Sequence, residues 1–334
     1  SDVCASAMTH ELETMGITIR VGHDRQNVAQ DVGRLIYSGA VPEDNPERLC
    51  AFELGITEQS YAQCLGELST HFTTIAVCGT HGKSTTTAML GLILEAAGYD
   101  PTVIVGSRVP FFTHGNLRVG NSRFLVVEAC EYRANFLELH PEMIVVTNIE
   151  EDHLDYFRDL DHIHETFQTF VNKLSAKGFV VYNADDALAS TLCAGHPVSF
   201  GVNAGDWRLS DRYVESGCQR AVVSGTDGPI GTLELQVPGA FNLMNALAAT
   251  TAALELGVTF EICASTLLRF RGIWRRFERV GDLNGAPFFS DYGHHPTAIR
   301  ATIAAARELY PDRRLVLCFQ PHQHARTRDL MEGF

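Results

Sequence analysis

Continuous apolar runs, each closed by polar or glycine-rich residues, alternate along the chain with stretches of helical spacing. A short, unbroken apolar run reads as a strand covered on both faces. Ile17 to Val21 and Leu35 to Val41 fit that description, as do residues 74–78, Phe124–Val127 and Met143–Thr147. Between them, Asn45-Pro46-Glu47-Arg48 reads as a helix start with Pro at the first helical position. Tyr61–Leu68 and Thr85–Ala97 read as further helices. Residues 196–238 change character. Glycine-rich turns separate short alternating runs such as Thr232–Val237, which predicts antiparallel strands. Asn242–Leu256 is an alanine-rich helix. Phe288-Phe289-Ser290-Asp291 ends a strand, Thr297–Tyr310 is a helix, and Leu315–Phe319 reads as a second buried strand, so the final segment predicts β-α-β. The class is α/β, divided as 1–70, 71–278 and 279–334.

The junction at residues 74–87 carries the strongest chemical signal. A β-branched run leads into Gly79-Thr80-His81-Gly82-Lys83-Ser84, and a helix follows. A helix start offers unpaired N–H groups and a positive dipole end, both suited to phosphate. Gly79 and Gly82 allow close backbone approach, Lys83 reaches terminal phosphates, and the Ser84 or Thr85 hydroxyl suits Mg²⁺. Val77 stands where the common phosphate-loop pattern has its first Gly, so the loop is a shortened form. Such a pattern arises by chance in roughly one chain in a hundred of this length, but the strand-before, helix-after context makes an ordinary turn a poor account of it.

Bulk properties narrow the partners. The 334 residues suffice for two or three domains, and 45% hydrophobic with 20% charged residues is a globular composition. A formal net charge of −14 disfavours nonspecific nucleic-acid binding. No apolar run approaches a membrane-spanning length, so membrane insertion is not expected. No basic, apolar leader opens the chain, and an upstream segment is expected from the missing initiator Met. Nine Cys without a C-x-x-C pair read as free thiols in a reducing cytoplasm.

Polar residues at the strand ends extend the site. Glu128 follows an apolar strand and suits Mg²⁺ beside a phosphate loop. Asn148 and the acidic run to His153 follow the next strand, where the spacing matches no zinc signature. Arg269, Arg271, Arg275, Arg276 and Arg279 offer a phosphate clamp, of which one is expected to act. Asp291-Tyr-Gly-His-His-Pro296 and Gln320-Pro-His-Gln-His-Ala-Arg326 close the set. His322 and His324 alternate, but Pro321 argues against the strand that a metal pair would need.

Together these motifs resemble the Mur ligases, most closely the member that adds the first amino acid. The resemblance runs from Ser1 to Phe334 through Gly79–Ser84, Glu128–Glu131, Thr147–Asp155, Pro238–Asn242 with Asn245, Arg275–Glu278, Asp291–Pro296 and Phe319–His322. Ile36–Val41 with Asp44–Glu47 carries it upstream.

It implies a three-domain architecture. A central phosphate-loop, ATP-binding parallel sheet is flanked by Rossmann-like domains for UDP-substrate and acceptor, both incomplete here. It implies that ATP phosphorylates the lactyl carboxylate of UDP-N-acetylmuramate and that L-alanine displaces the phosphate. Carried over, Gly79 to Thr85 hold phosphates with Lys83 on the transferring group, and Ser84 and Glu128 hold Mg²⁺. His153 holds a second Mg²⁺. Asn242 and Asn245 meet adenine, Arg276 the phosphates and Asp291 the ribose. His23 and Ser38 touch the uridine part, Asn148 the substrate, and Tyr292, His294, His322 and Arg326 the alanine.

Phe241, Ser290 and Gln323 depart from the family's usual residues, and Gln323 weakens the charge available for the alanine carboxylate. The family's N-terminal glycine-rich loop and much of its C-terminal domain are expected to lie outside the chain, so residues 1–334 alone are expected to be poorly soluble or at best to bind nucleotide, and the natural longer chain to be active. A tripeptide-recycling ligase of the same fold and a nucleotide-binding regulator without ligase activity are the alternatives.

Overall fold

The computed structural model describes all 334 residues, Ser1–Phe334. They fall into two compact units, Ser1–Leu68 and Ser69–Phe334.

The first unit contains α1 (Ala7–Thr14), β1 (Arg34–Tyr37), α2 (Pro46–Glu53), β2 (Thr57–Ser60) and α3 (Tyr61–Ser69). β1 and β2 pair in parallel, from Arg34 opposite Thr57 to Tyr37 opposite Ser60. α2 makes the crossover between them. Asn45 caps α2, its side chain accepting from Glu47 N and Arg48 N, with Pro46 in the first turn as expected. Two expectations fail here. Residues 17–20 form no strand, and Val21 makes only an isolated bridge to Asp2. The Leu35–Val41 run gives a strand of four residues, with Ile36 51% exposed. A sheet of two strands gives β1 one neighbour, so apolar character alone does not bury it.

The second unit is built on one ten-stranded sheet. Its strands are β3 (Thr73–Cys78), β4 (Thr102–Ile104), β5 (Leu117–Arg118), β6 (Phe124–Glu128), β7 (Met143–Val146), β8 (Phe179–Asn183), β9 (His196–Gly201), β10 (Trp207–Glu215), β11 (Cys218–Gly225) and β12 (Gly228–Leu235). The order is β12-β11-β10-β9-β8-β7-β3-β6-β4-β5. From β4 across to β10 every pairing is parallel. β11 and β12 extend the sheet antiparallel, and β5 closes the other edge antiparallel. The antiparallel reading of 196–238 therefore holds for β10 to β12 but not for β9. The central strands β3 and β7 are buried from Thr74 to Cys78 and from Met143 to Val146, which explains their apolar runs.

The helices are α4 (Lys83–Ala96), α5 (Leu160–Val171), α6 (Ala240–Glu255), α7 (Phe260–Leu268), α8 (Pro296–Leu309) and α9 (His324–Asp329). α4 and α6 pack together over the sheet. The alanine content of α6 permits that approach, with Ala246, Ala248, Ala249, Ala252 and Ala253 fully buried. Gly91 of α4 sits against Val103 of β4, where an added Cβ would lie 2.8 Å from both methyls.

The final segment departs from β-α-β. β13 (Glu278–Leu283) and β14 (Ala286–Ser290) form an antiparallel hairpin, with Leu283 opposite Ala286. The connecting Asn284-Gly285 has φ of 52° and 77°, the two-residue turn that favours this dipeptide. Leu315–Phe319 forms no strand, and Val316 is 80% exposed. No strand runs beside it, so its apolar pattern has nothing to pair with.

Gly91→Ala weighs two opposed effects. Ala favours a helix interior by about 1 kcal/mol over Gly. Overpacking against Val103 costs about 1–3 kcal/mol. The expected outcome is net destabilisation in urea unfolding, relieved in the Gly91→Ala/Val103→Ala pair.

Candidate active site

Three parallel strands end side by side at the site. The β3–β6 register puts Val77 opposite Glu128, and β3–β7 puts Cys78 opposite Val146. The loops that follow open into one cavity of about 480 Å³. Ligands of open α/β sheets bind outside these carboxyl ends.

The loop after β3 is held in shape by the loop after β7. Thr80 N donates to Asn148 O at 2.9 Å, and His81 N donates to Asn148 Oδ1 at 2.9 Å. Asn148 Nδ2 and Thr147 Oγ1 both donate to His81 O, at 3.1 and 2.6 Å. Glu150 N donates to Thr80 Oγ1 at 2.8 Å. Asn148 thus lines the cavity with its amide committed to the loop. Gly79 and Gly82 have φ of 130° and 85°. A Cβ at Gly79 would lie 2.1 Å from Thr147 Oγ1, and one at Gly82 2.3 Å from Asn245 Oδ1. Neither position tolerates another residue without displacing a neighbour.

Lys83 opens α4 and is tied down. Its Nζ donates to Gly79 O at 2.6 Å, Thr80 O at 3.2 Å and Glu131 Oε1 at 2.9 Å. Burial is the largest single influence and opposes its charge, but Glu131, Cys130 and Glu128 together outweigh it and raise its pKa. Ser84 Oγ donates to Glu128 Oε1 at 2.9 Å, bringing the two expected Mg²⁺ ligands together. Thr85 lines the same wall.

His153 completes this corner. Its Nε2 lies 3.9 Å from Glu131 Oε1 and 3.7 Å from Asp152 Oδ2, and its ring packs on Tyr132 at 4.6 Å. Burial lowers its pKa despite the acids beside it, which keeps the imidazole neutral. Its backbone is left-handed, with φ of 55°. His153 Nδ1 and Glu131 Oε2 are buried without hydrogen-bond partners. Buried neutral imidazole and carboxylate oxygens lacking partners are donors suited to a divalent ion.

The segment after residue 274 supplies the opposite wall. Arg276, Asp291, Tyr292, His294, His322, Gln323 and Arg326 line the cavity, whereas His324 does not. Asp291 braces the crossing: Oδ2 accepts from Phe277 N and Oδ1 from Gly293 N, both at 2.7 Å. Tyr292 lies beneath two guanidinium groups, Arg275 at 5.0 Å and Arg276 at 5.5 Å. Of the five arginines in this run, Arg276 alone lines the cavity. His294 Nδ1 donates to Tyr292 O at 2.8 Å, and burial lowers its pKa to about 4. Asn245 lines the cavity, while Asn242 stands behind it: Asn242 Oδ1 accepts from Asn245 Nδ2 at 3.3 Å, and Asn242 Nδ2 donates to Pro238 O. Phe241 lines the wall itself. His23 and Ser38 lie in the first unit, where His23 Nδ1 pairs with Ser1 Oγ at 2.8 Å and Ser38 is exposed at the end of β1.

Three contacts were not anticipated. Asp152 accepts from Arg326 Nε at 2.7 Å, with both residues buried. Burial would raise the Asp152 pKa, but the Arg326 hydrogen bond and charge bring it down to about 2. Glu131 has no role of its own in the Glu128–Glu131 motif, yet it pairs with Lys83. His81, Glu150 and His295 form a further cluster, with His81 Nε2 3.0 Å from Glu150 Oε2. Each acid lay in the run between Glu128 and Asp155, so its type was visible and its partner was not.

Residues 1–73 match the Mur ligase family catalytic domain, 77–253 the Mur ligase middle domain and 275–334 the Mur ligase glutamate ligase domain. The chain belongs to the Mur ligase family, a class of ATP-dependent ligases. UDP-N-acetylmuramate–L-alanine ligase of Clostridium acetobutylicum is 39% identical over 339 residues, covering 100% of this chain and 73% of that protein. The Solidesulfovibrio magneticus enzyme of the same name is 40% identical over 337 residues, again covering 100% and 73%. The crystal structure of the UDP-N-acetylmuramate-alanine ligase from Thermotoga maritima aligns with a TM-score of 0.85 at 31% identity, covering 96% of this chain and 74% of that one.

The Asp152–Arg326 pair sets an expectation for stability. Arg326→Ala strands a buried carboxylate and should cost about 3–5 kcal/mol. Asp152→Ala/Arg326→Ala should be less destabilised than Arg326→Ala alone, as read by urea unfolding. The sign in pH follows from the lowered Asp152 pKa. Its contribution is present above the unfolded carboxylate value of about 3.9 and is lost as pH falls toward 2. Without Arg326, burial raises the Asp152 pKa, so acid relieves the stranded carboxylate, and the stability gap between Arg326→Ala and the unaltered chain should narrow as pH falls, as read by urea unfolding at a series of pH values.

Proposed function

We propose that the chain catalyses ATP-dependent ligation of L-alanine to the lactyl carboxylate of UDP-N-acetylmuramate, in peptidoglycan precursor synthesis. The carrying observation is a similarity to UDP-N-acetylmuramate–L-alanine ligases that spans the whole chain, joined to a single cavity holding the phosphate loop and the acceptor-side residues. In this reading 279–334 opens the acceptor-binding domain, 71–278 binds ATP, and 1–70 binds the UDP-substrate through His23 and Ser38. A cytoplasmic setting suits these substrates, and no helix is long and apolar enough to cross a membrane.

The chemistry has two displacements. A lactyl carboxylate oxygen attacks the γ-phosphorus of ATP, and ADP leaves. The alanine amine then attacks the acyl carbon, phosphate leaves, and the nitrogen gives up a proton. Both steps gather negative charge on phosphoryl oxygens, which preorganised cations stabilise. Lys83 takes that role on exchanging Glu131 for phosphate, with Arg276 on the opposite wall. The amides at the start of α4, from Gly82 to Thr85, cradle the phosphates, because Thr80 N and His81 N are committed to Asn148. Asn245, supported by Asn242, and Phe241 border the adenine, and Asp291 lies at the ribose.

Ser84 and Glu128 would hold one Mg²⁺ and His153 a second. Bound there, Mg²⁺ supplies Lewis-acid neutralisation of the phosphates. The hydroxyl–carboxylate pair and the unpartnered His153 and Glu131 atoms fit that donor set.

On the acceptor side, the Arg326–Asp152 hydrogen bond uses Nε, so the terminal guanidinium nitrogens suit the alanine carboxylate. His294 keeps its proton on Nδ1 for Tyr292 O, which leaves Nε2 as an acceptor for the amine. Tyr292 and His322 shape the remaining wall.

Lys83→Ala should lower alanine-dependent ADP release by about 10²-fold or more while leaving UDP-sugar binding largely intact. Near-normal turnover would remove the loop from the chemistry. Arg326→Lys keeps a cation for Asp152 but loses the fork. It should raise the KM for L-alanine strongly, and Gln323→Ala only mildly. A larger effect at Gln323 would reverse that assignment. A panel of amino acids and a tripeptide in the same assay separates alanine addition from tripeptide recycling.

A further inference from the structure

Beside the phosphate loop, on the flank away from Glu128, the structure brings together three side chains to which the ligase reading gives no role. Glu150 Oε2 lies 3.0 Å from His81 Nε2 and 3.7 Å from His295 Nδ1. The ligand atoms of all three lie within 4.8 Å of one another. Tetrahedral ligands at zinc distances stand about 3.4 Å apart, so the two shorter edges bracket that value. Only the His81–His295 edge, within 4.8 Å, needs to close, by up to about 1.4 Å.

The tautomer of His295 is set by its surroundings. Its Nε2 lies 3.0 Å from Glu151 O, and a carbonyl only accepts, so the proton sits on Nε2. The Nδ1 lone pair then points at Thr297 N, 3.2 Å away, and toward Glu150. A metal-bound histidine typically has this arrangement, with its other N–H donated to a backbone carbonyl. His295 is 5% exposed, and burial with the nearby His81 keeps it neutral. Two imidazoles and one carboxylate suit zinc and its first-row neighbours, and Mg²⁺ poorly.

We propose that His81 Nε2, a Glu150 carboxylate oxygen and His295 Nδ1 form a transition-metal site of the zinc class, separate from Ser84, Glu128 and His153. The ion takes the lone pair that His295 now shares with Thr297 N. It ties together three segments: the phosphate loop through His81, the loop after β7 through Glu150, and the start of α8 through His295. The fourth position stays open, on the side where His81 and Glu150 line the cavity.

The test is titration of Zn²⁺ into the chelator-stripped chain in excess Mg²⁺, by calorimetry, with Co²⁺ spectra in parallel. His295→Asn keeps a helix-capping side chain and removes the imidazole, so it separates ligation from folding. One site of micromolar or tighter affinity is expected. It should weaken at least about tenfold in His295→Asn and in Glu150→Gln, and hold within about twofold in Glu128→Ala. The Co²⁺ spectrum should lack a thiolate charge-transfer band, because none of the nine Cys takes part. Absence of saturable binding, equal affinity in His295→Asn and Glu150→Gln, loss in Glu128→Ala, or a thiolate band would each overturn the proposal.

Discussion

The site depends on holding a glycine-containing loop open, so that the helix start that follows it faces the cavity. Left alone, such a loop has many conformations, since glycine loses the most freedom on folding. Here the loop after β7 restrains it. Asn148 satisfies both backbone polar groups of His81, and Thr147 and Glu150 secure the rest. Those contacts exist only because β3 and β7 are parallel neighbours in register. Sheet pairing, loop shape and the position of Lys83 are therefore one mechanical system.

Burial adds a second constraint. Lys83 and Arg326 are cations largely removed from water, and each is matched by one acid, Glu131 or Asp152. His153 stands between these two acids, neutral and in a left-handed backbone conformation. The adjacent Asp152 and His153 thus serve opposite walls. Asp152 faces Arg326 across 174 residues of sequence, and His153 faces the phosphate-loop corner.

Much of this was legible because buried parallel strands have a plain signature. β3, β6 and β7 are built on apolar runs, and residues that follow them line the cavity. The same signature misled at Leu315–Phe319 and Ile17–Val21. An apolar run becomes a strand only when another strand lies beside it, and that partner is not written in the run itself. The β13–β14 hairpin has a local signal in Asn284-Gly285, which stands inside a segment whose wider pattern is a βα rhythm. The pairings of Asp152 with Arg326, and of Glu150 with His81 and His295, are contacts distant in sequence, beyond any local periodicity.

The Lys83–Glu131 pair also governs how an anion would find the cavity. A bare lysine projects a field that draws anions from a Debye length away, about 10 Å at moderate salt. Bound to Glu131 at 2.9 Å, Lys83 presents a dipole whose field fades much sooner. The chain as a whole is strongly negative. Long-range steering toward this loop is therefore weak. In the proposed reading, capture rests on a short-range exchange, in which the arriving phosphate takes the ammonium group from the carboxylate. Association governed this way has little to lose to salt, so its rate should vary only gently with ionic strength.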